Sequence, residues 1–60
     1  MRSITIRFYP NETEFYFARG KNTRMFKNPN LDRFWKYIHA NDIFPDRTDT
    51  PDFIQYVYTI

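Results

Sequence analysis

Apolar and polar residues alternate through the first third of the chain. Ile4, Ile6 and Phe8 fall on one side of an extended segment, and Thr5, Arg7 and Tyr9 on the other. Period-two alternation of β-branched and aromatic residues predicts a strand. Pro10, Asn11 and Glu12 interrupt it with turn chemistry, since proline fixes φ and asparagine tolerates tight bends. Alternation resumes in TEFYFAR, where Phe15 and Phe17 oppose Tyr16 and Ala18. The two segments predict a β-hairpin with a short loop. Gly20, the only glycine, stands beside Lys21 and Asn22 and marks a second turn. The segment after it, TRMFK, can form a short third strand, and its cations suit an edge because they discourage stray pairing.

The period then changes. Leu31, Phe34, Trp35 and Ile38 recur at the i, i+3, i+4, i+7 spacing of one helical face. Asn28 or Asn30 can cap this helix, Pro29 suits its first turn, and Asp32 lies near the positive end of its dipole. Asn41 is placed to end it in the left-handed conformation. DIFPDRTDTPD, with two prolines and four aspartates, reads as a polar connecting loop. The final segment fits two periods. Ile54, Tyr56, Tyr58 and Ile60 make a strand face, whereas Phe53, Tyr56, Val57 and Ile60 make a helix face, and Thr50-Pro51-Asp52 resembles a helix start. The β-favouring run Tyr-Val-Tyr-Thr-Ile selects the strand, which can pair beside the first one in either direction. The expected class is α+β, with one helix packed on one face of an antiparallel sheet. The sheet comprises the hairpin, the short third strand and the C-terminal strand.

Composition sharpens this in one respect. Sixty residues make one domain, and such a domain buries only about 60% of the surface its unfolded chain exposes. Twenty-two large apolar or aromatic residues follow Met1, and a fold of this size encloses roughly a dozen. Several rings must therefore reach solvent, and clustered rings make the kind of surface that interfaces use. Tyr9, Tyr16, Tyr37, Phe44, Tyr56 and Tyr58 are the expected members, with Arg7, Arg19 and Arg24 around them.

Charge adds a direction. Residues 1–27 hold six cations against two acids, and residues 28–60 hold three cations against five acids. From Arg19 to Lys27 there are four cations and no acid: Arg19, Lys21, Arg24 and Lys27. With Phe15 and Phe17 turned to the core, Arg7, Tyr9 and Tyr16 share the open sheet face, with Arg19 at its end. Aromatics with cations on an exposed sheet are the platform used for single-stranded nucleic acid.

Candidate chemistry is sparse. The chain has no cysteine, one histidine and one serine, so the usual zinc ligand sets and nucleophile–base arrangements lack their parts. His39 with Asp42 could orient a general base, but a histidine in a last helical turn is already explained by the helix dipole. The aspartates of the loop lack the alternating ligands, central glycine and terminal glutamate of a calcium loop. Phosphate-cradling glycine loops are missing. No cofactor or metal is expected, and the reading is a binding module and not an enzyme. Absence of cysteine suits a reducing compartment, and no apolar run reaches signal-peptide or membrane-span length, so a cytoplasmic protein with no membrane partner is expected.

In size and economy the whole chain resembles the short proteins by which bacteriophages block host machinery or defences, such as anti-CRISPR proteins and antitoxin-like inhibitors. No single motif carries that likeness. It implies steric occupation of a host protein's surface, and the chain's mild positive charge argues against nucleic-acid mimicry. The expected partner is another protein, either a host protein or a second copy, and the alternative is a nucleic acid on the basic aromatic face. The expected partner-binding residues are Arg7, Tyr9, Tyr16, Arg19, Lys21, Arg24, Tyr37, Tyr56 and Tyr58.

Overall fold

The first strand becomes the middle of the sheet. In the computed structural model, which describes residues 2–60, five strands and one helix follow in the order β1 (Arg2–Phe8), β2 (Thr13–Arg19), β3 (Asn22–Lys27), α1 (Asp32–Ala40), β4 (Asp46–Asp49) and β5 (Ile54–Thr59). Every strand pair is antiparallel, and the spatial order is β3-β2-β1-β5-β4. The predicted α+β class, hairpin, third strand, helix and C-terminal strand are all present, with β5 beside β1 as expected. Among the described residues no helix is long and apolar enough to cross a membrane.

Register fixes which side chains share a face. Ile4 and Ile6 stand opposite Phe17 and Phe15 on one flank and Tyr58 and Tyr56 on the other. These residues form the floor on which α1 lies. Its stripe of Leu31, Phe34, Trp35 and Ile38 meets them, and Ile4, Ile6, Ile38 and Tyr58 form the buried cluster. Phe34 straddles the central strand. Its ring packs edge-on to Phe15 of β2 at 5.6 Å and to Tyr58 of β5 at 5.0 Å, geometries that favour aromatic pairs beyond their burial.

Tight connections hold the register. Gly20 has φ +59 at the first central position of the two-residue β2–β3 loop, where the turn that suits strand twist needs glycine. Asn28, with φ +50, closes the other end of β3. Its N–H donates to the Thr13 carbonyl at 2.7 Å and its Oδ1 accepts from the Thr13 N–H at 2.8 Å. The N-cap position is held by Leu31 and not by Asn28 or Asn30; Asn30, one residue earlier, steadies the helix start through its Oδ1, which accepts from the Asp32 N–H at 3.0 Å.

Two further expectations need correction. The left-handed residue ending the helix is Asp42, φ +51, and not Asn41, whose φ is −107. Asn41 uses its side chain instead, its Nδ2 donating to the Tyr37 carbonyl at 2.8 Å. The Ile43 N–H then reaches back to the Ile38 carbonyl at 3.0 Å. This is the closure in which a residue after the turn also packs on the last helical turn, here Ile43 against the Ile38 cluster. Second, the acidic connection is not wholly a loop. Asp46–Asp49 forms β4, paired through its backbone to β5 from Val57 to Ile54. Thr50-Pro51-Asp52-Phe53 is the tight turn that makes this pairing. The Thr50 N–H donates to the Phe53 carbonyl at 2.9 Å, and Thr50 Oγ1 accepts from the Phe53 N–H at 3.0 Å.

Candidate interaction surface

One helix cannot cover five strands. Four interstrand gaps of about 4.8 Å make a sheet about 19 Å across, whereas a helix with its side chains is about 10 Å wide, and nine residues rise only about 14 Å. Among the described residues, only Ile4, Ile6, Ile38 and Tyr58 are buried hydrophobics, fewer than the dozen expected from chain length. Others, such as Phe15, Phe17, Phe34 and Trp35, pack against these four while partly buried, and the rings that reach solvent are spread over three surfaces.

The first surface is the open sheet face. Arg7 lies at its middle, with its guanidinium carbon 5.3 Å from the Tyr16 ring centre and 5.1 Å from that of Phe53. Arg7 Nε donates to Gln55 Oε1 at 3.0 Å, and Tyr9 packs against Phe53 at 5.1 Å. The Tyr16 hydroxyl donates to Glu14 at 2.9 Å, and this bond, ahead of the neighbouring negative charge, holds the phenol above its ordinary pKa. Arg7, Tyr9 and Tyr16 are together here as expected. The face is not basic, however. Register brings Lys27, Glu14 and Arg7 into one row, and Asp46 lies opposite Val57 on the same side, so its charges balance.

Arg19 is absent from that face, a correction with a simple cause. It shares the parity of Phe15 and Phe17, so it points to the helix side. Arg24 does the same on β3, opposite Phe17. The two arginines, with Asn22 and Thr23, border a groove of about 680 Å³ floored by Phe15, Phe17 and Phe26. This is the second surface, where the sheet runs out from under the helix. Met25 and Phe26 are 47% and 48% exposed here on the two faces of β3, and all six residues of that strand are exposed. Lys21 sits in the adjoining turn.

The third surface flanks the other side of the helix. Phe8, Trp35, Ile54, Tyr56 and Tyr58 line a shallow apolar hollow, and Tyr56 is half-buried beneath Arg47, whose guanidinium carbon is 5.9 Å from the ring centre. Tyr58 was expected outside and is 3% exposed, because its register opposite Ile4 puts it under the helix. Burial, ahead of the nearby Tyr56, raises its pKa. Tyr37 is exposed on the outer side of the helix, and Phe44 is 83% exposed just beyond it. His39 is exposed at the helix end.

The nine expected residues thus divide. Arg7, Tyr9 and Tyr16 form one group, and Arg19, Lys21 and Arg24 a second, while Tyr37, Tyr56 and Tyr58 do not join either. Sequence reasoning passed over Met25, Phe26, Phe53 and Gln55. The signal for Met25 and Phe26 was available, since two apolar residues in an otherwise polar edge strand cannot both face inward.

The chain matches no family model, and no curated protein or solved structure matches it.

Proposed function

We propose that the chain is a protein-binding module that acts by occupying a partner's surface, in the manner of the short phage inhibitors it resembles in size. One observation carries this reading. Met25 and Phe26 are both exposed on the edge strand β3, Phe26 on the helix side with Arg24 and Arg19 and Met25 on the open side with Lys27, and Lys21 lies in the adjoining turn. Exposed Met, Phe and Arg along one edge strand are among the residue types enriched at interfaces. The cations steer acidic counterparts, and the two apolar side chains supply anchors, one on each face of the strand. Binding and not catalysis is the function, and His39→Gln is expected to fold and to act as the parent does.

The test is affinity capture from nuclease-treated lysate with the parent chain and with a Met25→Glu, Phe26→Glu variant. A protein retained by the parent and lost with the variant is the expected result. Loss of all captured material on nuclease digestion is the contrary one.

A second reading has one observation in its favour, the three phenylalanines and two arginines of the β2–β3 groove. Rings beside cations suit single-stranded nucleic acid. Salt separates the readings. About four phosphate contacts give a log–log slope near −3.6 for duplex and a shallower one for single strands, and apolar docking gives a much flatter one.

A further inference from the structure

We propose that β3 receives an extended acidic peptide as a sixth strand of the sheet. The proposal rests on the protein-binding reading and names how that binding occurs.

The backbone comes first. In an antiparallel pair, alternate residues exchange hydrogen bonds with the neighbour and the residues between them point their N–H and C=O groups away. The Asn28 N–H bonded to the Thr13 carbonyl sets the phase. Asn22, Arg24 and Phe26, opposite Arg19, Phe17 and Phe15, are therefore the rungs to β2. Thr23, Met25 and Lys27 direct their amide and carbonyl groups outward, away from the sheet. β3 is the last strand on its side, so among the described residues nothing meets these groups. They are spaced to pair with alternate residues of one more strand.

The side chains define the guest. On the helix side, residues of an added strand stand beside Arg24 and Phe26 at the mouth of the groove floored by Phe15 and Phe17. On the open side they stand beside Met25 and Lys27. Each side offers one cation and one apolar surface. A strand that reads acid-apolar-apolar-acid opposite Arg24 to Lys27 satisfies both, because it sets one acid and one apolar residue on each face, and Arg19 and Lys21 extend the positive field at one end.

A second copy of β3 does not fit this description. Antiparallel self-pairing in a continuous sheet sets residues of like parity opposite each other. Centred on Arg24, it faces arginine with arginine, which is destabilising. Centred on Met25, it still brings eight cations, four from each copy, into one strip. The far edge is a poorer guest too, since β4 has four residues and carries both charge signs. The charges that keep β3 from pairing with itself are those that select an acidic partner.

The probe is a capped peptide of about eight residues, a usual strand length, with the central sequence Glu-Val-Phe-Glu flanked on each side by valine and glutamate. Titrated into the isotope-labelled chain, it is expected to slow hydrogen exchange at the Thr23, Met25 and Lys27 amides and to leave the β4 amides unchanged. Met25→Pro removes one outward donor without touching a rung to β2, so the fold is retained and peptide affinity falls about tenfold or more. Arg24→Glu with Lys27→Glu is expected to lose affinity to at least that extent, as does the same peptide with lysine in place of glutamate. Protection confined to other surfaces, displacement of the peptide's expected effect by a single-stranded oligonucleotide binding there more tightly, or dimerisation through β3 in sedimentation each overturns the proposal. Capture from nuclease-treated lysate distinguishes the two levels. Protein still retained by both variants overturns strand addition alone, and the absence of captured protein together with no peptide binding overturns the protein-binding reading as well.

Discussion

Ile6 and Arg7 are neighbours in β1, yet they belong to different environments. Ile6 is fully buried under the helix. Arg7 lies half-exposed on the bare side, held between Tyr16 and Phe53 with Gln55 as its hydrogen-bond partner. One side of the sheet is held by apolar burial under Phe34, and the other by a polar and aromatic cluster that no element covers. The lesson concerns what each side is free to do. Burial commits the helix side to stability, while the open side and the β3 edge carry side chains whose loss the fold can absorb.

That contrast can be broken by measurement, beginning where the effect is largest. Ile6→Ala is expected to cost about 2–5 kcal/mol, much of the roughly 3–9 kcal/mol that a chain of this length has. Urea denaturation should show a large loss of midpoint or no folded baseline. Arg7→Met removes two cation–π contacts of about 0.5–1 kcal/mol each at an exposed site and one hydrogen bond of similar net worth, and it keeps the stem's packing. The expected cost is about 1.5–3 kcal/mol by the same measurement. Equal costs at the two positions would mean that the sheet's sides are not energetically distinct.

Tyr58 sharpens the comparison through pH. Its pKa is raised in the folded chain, first by burial, so the fold favours the neutral phenol. Protons are then held more tightly by the folded than by the unfolded state. The associated stability is complete below the unfolded tyrosine pKa of about 10 and is lost as pH rises through the folded value. Thermal melts of the parent should fall more steeply above that pH than those of Tyr58→Phe. Tyr16→Phe, on the open side, is expected to change the alkaline slope less.

Asp42→Gly lies outside both faces and sets the scale for small effects. Its φ of +51 suits glycine better than a residue with a Cβ. A gain of about 0.5 kcal/mol, or roughly 2–4 °C in melting temperature, is expected.

Period-two alternation made β1 and β2 legible because Ile4, Ile6, Phe15 and Phe17 all face one core, and helical spacing did the same for Leu31 to Ile38. β4 was not legible, since Asp46, Arg47, Thr48 and Asp49 are all exposed and carry no apolar rhythm. Its pairing comes from backbone geometry imposed by the Thr50–Phe53 turn. Arg19 was misplaced although its parity with Phe15 and Phe17 was readable. Tyr58 is a different case. Whether a tyrosine lies under the helix or beside it depends on where β5 sits along β1 and on how far the helix reaches, and neither is written in local pattern. The candidate site followed the same rule: its cations were visible as a run, but their division between two faces needed the register.

The middle position of β1 has a consequence for how the chain folds. Its partners are an adjacent hairpin strand and one about fifty residues further on, as in the pairing of Arg7 with Gln55. The hairpin and β3 can assemble early from nearby chain, but Phe34 meets Tyr58 only when β5 has docked. Closing so long a loop is the slow, entropically costly event, and a nascent chain must hold its oily strands in waiting until the last of them is made.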